Sequence, residues 1–217
     1  MAATIWLARH GETTWNLAGR YQGRLESALS GLGVRQGMAL AAAFAERLRD
    51  GGRVPERIVA SPLLRCAATA RFVADRLGVA LETDERLIEI AHGTWEGRYR
   101  DDLAREDPDR YRAWRERPAT VAFDGGETLR DVLARWDAVA ADLARATRDT
   151  LVVTHDAVVR CALVALEGKG LDEFWNVAVE NAAYAVIEAD GRGLTLTEEC
   201  VTAHLAHARA DVAGQAL

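Results

Sequence analysis

The sequence predicts a three-layer αβα sandwich with a mostly parallel central sheet and a small helical cover over one end. Three observations carry that expectation. Short apolar runs alternate with longer segments of helical period, the pattern of a parallel sheet faced by helices. The 217 residues, 49% hydrophobic and 28% charged, suit one globular domain with a substantial core. A pair of strand-like segments near the end, joined by Asp190-Gly191-Arg192-Gly193, reads as a hairpin at the sheet edge.

Each element follows from its pattern. Thr4–Ala8, Arg57–Ala60 and Thr150–Thr154 are short apolar runs bounded by polar turns, hence buried strands. Val79–Thr83 is read as a further strand. Leu40, Phe44 and Leu48, with Ala41 and Ala45, make one helical stripe; Cys66, Ala70, Val73 and Leu77 make a second. Leu129, Val132, Leu133, Trp136, Val139 and Leu143 make a third, starting just after Gly125-Gly126. Val159, Ala162, Leu163 and Leu166 make a fourth, which stops at Gly168. Ala182–Ala189 and Leu194–Cys200 are the hairpin strands. Arg98–Arg117 is dense in both charge signs and stops at Pro118, so it reads as exposed helices lying over a site. The domain is taken as residues 1–202, with 98–124 as the cover insertion and 203–217 as a loose tail.

Composition excludes several classes. There are 33 acidic and 27 basic side chains, net charge −6, which offers nucleic acid or a membrane surface little long-range attraction. No apolar run reaches the length of a spanning helix, and the start MAATIWLARHGE runs directly into a strand. Cys66, Cys161 and Cys200 are widely spaced, with no CxxC pair, so neither a disulfide framework nor a cysteine zinc site is expected. A reducing cytoplasm is the expected location. All basic residues except Lys169 are Arg. Coding bias explains most of them, and a few suit oxyanion binding through the guanidinium fork.

Ligands of open parallel α/β sheets sit beyond the carboxyl ends of the strands. The first strand delivers Arg9-His10-Gly11-Glu12-Thr13 there, the second Ser61-Pro62 and then Arg65, the third His155. Glu89 lies just past the strand read at Val79–Thr83. Two His, two Arg and one Glu suit phosphoryl transfer to histidine. The arginines neutralise phosphate oxygens, a neutral imidazole attacks phosphorus, and a carboxylic acid protonates the leaving alkoxide.

The blocks RHGETTWN (Arg9–Asn16), GRYQG (Gly19–Gly23), SPLLRCAATA (Ser61–Ala70), LIEIAHGTWEG (Leu87–Gly97), GGET (Gly125–Thr128) and VVTHDAVVR (Val152–Arg160) resemble, in order, the motifs of the histidine phosphatase superfamily, the phosphoglycerate-mutase-like proteins. The resemblance covers roughly residues 4–165. It implies that His10 is the nucleophile that becomes phosphohistidine, and that Arg9, Arg65 and His155 complete the phosphate pocket. Asn16 resembles an amide that contacts the same phosphate, and Glu89 the proton donor that later serves as base. Gln22, Gly23 and Asp156 are further candidates for the phosphate-binding set.

Three positions depart from the family pattern. Asp156 stands where glycine usually follows the second histidine; it reads as a helix N-cap, or else as a carboxylate beside the phosphate. Ile88 replaces a basic residue, and Glu26 replaces an aspartate. His92 is read as pocket wall rather than a metal ligand, because no HxxxH or HxH pairing supports a metal site. His204 and His207 are assigned to an exposed tail, and Cys66 and Cys161 to the inert core.

The expected function is hydrolysis of a small phosphate monoester through phosphohistidine, with no cofactor and no metal. The alternatives are a phosphoglycerate-type mutase and a catalytically silent phosphate-binding protein. Hydrolysis is favoured because the cover between WEG and GGET holds only about 27 residues; the resemblance implies a longer insertion in cofactor-dependent mutases, which keeps water from the phosphohistidine, and a short, charged cover favours water entry. No nucleic-acid or membrane partner is expected, and the edge hairpin at Ala182–Cys200 offers a surface for a homodimer.

Overall fold

The first strand, β1 (Ala3–Arg9), is buried along its whole length, as an apolar run in the middle of a sheet must be. In the computed structural model, which describes residues 2–209 and 215, five further strands join it. These are β2 (Arg57–Ala60), β3 (Leu81–Thr83), β4 (Thr150–Thr154), β5 (Tyr184–Ala189) and β6 (Leu194–Val201). Their order is β3-β2-β4-β1-β5-β6. The first four are mutually parallel, with Arg9 beside Thr154 and Ala60 beside Val153 at their carboxyl ends. β5 and β6 add antiparallel to β1, as the predicted edge hairpin.

Alternation along the strands divides the core in two. Trp6, Ala8, Ile58, Ala60, Leu151 and Val153 face one layer, built by α2 (Gly31–Arg49) and α3 (Leu64–Leu77). Ile5, Leu7, Val59, Val152 and Ile187 face the other, built by α6 (Leu129–Leu143) and α7 (Asp156–Leu166). A single turn, α1 (Thr14–Leu17), follows β1, while α4 (Arg100–Glu106) and α5 (Pro108–Glu116) form the cover. The three-layer sandwich is thus as predicted.

Several boundaries differ, each for a local reason. The strand read at Val79–Thr83 shortens to β3 because Gly78 (φ 68°) ends α3 in the left-handed region and Val79 N–H still donates to Ala74 O. Leu48, on the first stripe, is exposed in the last turn of α2. Ala182 and Ala183 precede the hairpin strand, Ala182 in a turn with Asn181 and at φ 59°. The cover helices are not exposed throughout: Leu103 and Trp114 are fully buried, and Trp114 packs on Phe123, Phe174 and Trp175. Phe174 and Trp175 come from a 3-10 segment, Leu171–Asn176, which has no strong period in the sequence.

The expectation of a loose tail from residue 203 fails for the part described. Ala203–Leu205 is a 3-10 turn, Leu205 and Ala208 are buried, and Gln36 Nε2 donates to Ala208 O at 2.9 Å. His204 is part-buried, stacked on Tyr184 and bonded to Ala182 O at 2.9 Å, so it is not an exposed tail residue. His207 is exposed. Residues 210–214, 216 and 217 of the predicted tail lie outside the described residues.

Candidate active site

The parallel strands bring Arg9, His10, Ser61 and His155 to one end of the sheet. His10 N–H donates to Thr154 O at 2.9 Å, and Ser61 N–H to Val153 O at 3.0 Å, so the ends of β1, β2 and β4 are stitched together. Arg9, His10, Arg65, Glu89 and His155 are all 2% exposed or less.

His10 Nδ1 lies 2.7 Å from Gly11 O. A carbonyl only accepts, so Nδ1 carries the proton and Nε2 keeps the lone pair. Burial, then the charges of Arg65 and Arg9, hold the His10 pKa well below its ordinary value. The ring is therefore neutral, with a nucleophilic Nε2. The His155 ring stands edge-on to it at 5.3 Å. His155 is held well below its ordinary pKa by burial first and Arg65 second. Ser61 Oγ lies 2.8 Å from His155 Nε2, and Cys66 Sγ lies 3.3 Å from the same nitrogen.

Arg65, in the first turn of α3, is fixed by two carbonyls: Nη1 donates to Leu25 O at 3.0 Å and Nη2 to Gly23 O at 2.7 Å. Gly23 has φ +49°, and a Cβ there would fall 2.2 Å from Glu96 Oε1, so glycine is needed to offer that carbonyl. Thr69 links the two arginine segments: its hydroxyl donates to Arg65 O at 2.7 Å and accepts from Gly11 N–H at 3.0 Å.

Asn16 is the third residue of α1 and half of a capping box; its Oδ1 accepts from Thr13 N–H at 3.0 Å. Gln22 Oε1 lies 2.9 Å from Thr13 Oγ1 and accepts from the Ser27 hydroxyl. Both amide oxygens are engaged by protein donors.

Glu89 lies in the loop after a 3-10 turn, Glu85–Leu87. Arg135 Nη1 donates to Ile88 O at 2.9 Å and Thr154 Oγ1 to Leu87 O at 2.7 Å, anchoring the loop on both sides. Burial raises the Glu89 pKa to about 7; Arg65 opposes this, Asp156 adds to it, and the Ile90 N–H and Arg9 oppose it. Near neutrality this carboxyl can hold or release a proton.

Asp156 is not an N-cap. His155 takes that position with extended backbone, and Asp156 is the first residue of α7. Its carboxylate instead sits between two guanidinium groups. Oδ1 is 2.9 Å from Arg9 Nη1, and Oδ2 accepts from Arg160 Nε at 2.5 Å. Arg9 Nη1 also donates to Val179 O at 3.3 Å, and Nη2 to Gln215 Oε1 at 3.0 Å.

His92 is fully buried. It packs against Tyr21 (5.0 Å) and Phe123 (4.7 Å), and burial, then Arg65, holds its pKa down to about 3. Among the described residues no group of three or more His, Cys, Asp or Glu is placed to hold a metal. Most cover arginines are matched locally: Arg98 with Glu106, Arg105 with Asp102, Arg110 with Asp107 and Asp124, and Arg112 with Asp109. Arg115 lies over the Trp175 ring.

Sequence reading gives no role to Ser61, Asn181 or Gln215. Ser61 sits in a quoted block, directly after a strand, and that position was the available signal. Asn181 Nδ2 donates to His10 O at 3.3 Å, and Ala182 N–H lies 3.1 Å from both Arg9 O and His10 O; no local pattern announces this latch. Cys66 is buried as expected, but in contact with His155.

Residues 5–201 match the histidine phosphatase superfamily (branch 1), and the chain belongs to that family. It is a phosphatase of the phosphoglycerate-mutase-like kind. It is 33% identical over 201 residues to phosphoserine phosphatase 1 of Hydrogenobacter thermophilus, covering 92% of each chain. It is also 33% identical over 175 residues to glucosyl-3-phosphoglycerate phosphatase of Mycobacterium tuberculosis, covering 76% of this chain and 75% of the relative. Among solved structures, Bacillus stearothermophilus YhfR superposes with a TM-score of 0.84 at 30% identity, over 94% of this chain and 99% of that one. No helix among the described residues is long and apolar enough to cross a membrane.

Proposed function

We propose that the protein hydrolyses a small phosphate monoester in two steps through phosphohistidine at His10. The observation that carries this reading is a pair of buried donors beside the neutral imidazole: among the described residues neither Arg9 Nε nor Arg65 Nε has an acceptor. Buried guanidinium N–H groups are costly to leave unpaired. Oxygens of one phosphoryl group would accept from both, with Asn16, Gln22 and His155 as further donors.

In the first step His10 Nε2 attacks phosphorus in line and the ester P–O bond breaks. The leaving alkoxide takes the proton of Glu89. In the second step water attacks the phosphorus, giving a proton to the Glu89 carboxylate; the N–P bond breaks and orthophosphate leaves. Burial of the site strengthens each charge contact along this path. Glu89 near pKa 7 suits both directions of proton transfer.

The relatives named for phosphoserine and glucosyl-3-phosphoglycerate support a small metabolite as substrate and put both esters in the first screen. The test is turnover of p-nitrophenyl phosphate, phosphoserine and a panel of sugar phosphates, with a search for acid-labile, base-stable protein phosphate. Hydrolysis with label is the expected result. Return of the phosphoryl group to a second substrate hydroxyl, without orthophosphate, would indicate a mutase instead. Neither turnover nor label would leave only a binding protein.

A further inference from the structure

The carboxylate between Arg9 and Arg160 forms no bond and transfers no proton in the two-step chemistry, yet it is 1% exposed and faces the pocket's own arginine. Burying a carboxylate is expensive unless cations surround it, and here two do. Arg160 is itself fixed: its Nη1 donates to Val177 O and, at 3.3 Å, to Phe174 O, and its guanidinium lies 5.2 Å from the Trp175 ring centre. Asp156 is therefore held rigidly against one edge of Arg9. The 2.9 Å contact to Arg9 Nη1 lies off the line of a hydrogen bond, so it acts on Arg9 mainly through charge. A phosphoryl oxygen on Arg9 Nε would be about one guanidinium width from this negative charge.

We propose that Asp156 is a positioning and charge-balancing residue that sets the pocket's affinity for phosphate. It steadies Arg9 and, by subtracting one unit of positive charge, weakens retention of the phosphate product. This rests on the phosphatase reading of the site. Arg9 keeps its bonds to Val179 O and Gln215 Oε1 when Asp156 is neutral, so the loss of a charge, not of the arginine's anchorage, dominates in an isosteric variant. Arg65, with its own carbonyl partners, is untouched.

The experiment is calorimetric titration of wild type, Asp156→Asn and Asp156→Gly with inorganic phosphate, alongside steady-state kinetics and a thermal melt. A unit charge removed this close to a dianion in a part-desolvated site should tighten phosphate binding by about tenfold. KM should fall with it, and kcat should fall as product leaves more slowly. A purely structural role would lower the melting temperature and leave phosphate affinity unchanged. Unchanged or weaker phosphate binding in folded Asp156→Asn overturns the inference, and the glycine variant decides the matter if the asparagine variant does not fold. If wild type itself neither binds phosphate nor turns over an ester, the phosphatase reading fails and takes this inference with it.

Discussion

Replacing Glu89 by Gln removes one ionisation while keeping the shape of a buried side chain, and two separate consequences can be calculated. The carboxyl has its pKa raised from the ordinary 4.5 to about 7, chiefly by burial. Between those values the unfolded chain has lost the proton that the folded chain keeps, so wild type loses stability as pH rises through that window. At 1.36 kcal/mol per pH unit the loss is about 3 kcal/mol. Gln is neutral at every pH and suffers none of it. Relative to wild type, Glu89→Gln should therefore gain roughly 6–12 °C in Tm between pH 4.5 and pH 8, at about 2–4 °C per kcal/mol for a domain of this size. The catalytic consequence is the second. As general acid, Glu89 must be protonated when the ester bond breaks, so kcat/KM for an alkyl phosphate should fall tenfold per pH unit above about 7. The variant should lose roughly 10²–10⁴-fold in kcat/KM for alkyl esters and show no such limb, with a much smaller loss for p-nitrophenyl phosphate. Equal losses for both ester classes, or a limb that survives in the variant, would refute the general-acid role; a Tm difference independent of pH would refute the burial argument.

Two further outcomes follow from the geometry. Arg65→Lys gathers its donors on one tetrahedral nitrogen, which cannot span Gly23 O, Leu25 O and a phosphate as the planar guanidinium does, and should lower kcat/KM by roughly 10–100-fold in steady-state assays. Trp114→Ala removes the buried anchor of α5 and the packing around Phe123, Phe174 and Trp175; denaturant unfolding should show a loss of roughly 3–5 kcal/mol.

What could be read from the sequence was what the strand ends dictate. Apolar runs fix β1, β2 and β4, and a parallel sheet obliges their carboxyl ends to coincide, so Arg9, His10, Arg65 and His155 meet although His10 and His155 are 145 positions apart. The cover's density in both charge signs was legible as helices, and the structure pairs most of its arginines with neighbouring carboxylates. Of the two readings of Asp156 only the N-cap fails, because His155 takes the cap position; the signal for a carboxylate among arginines is Arg160 four residues on, the spacing of a helical ion pair. The contacts of Asn181, Gln215 and His204 come from segments folded back over long separations, where no periodicity exists to announce them. The docked turn at Ala203–Leu205 was hidden for the same reason: an Ala-rich stretch carries little pattern, and its anchor, Gln36, lies in α2.

The most direct measurement is phosphopeptide mapping after rapid acid-free quenching of the enzyme with its best ester substrate. Acid-labile phosphate on His10 of wild type, absent from His10→Ala together with turnover, is the predicted result. Phosphate on another residue, or retained phosphatase activity in His10→Ala, would contradict the mechanism at its centre.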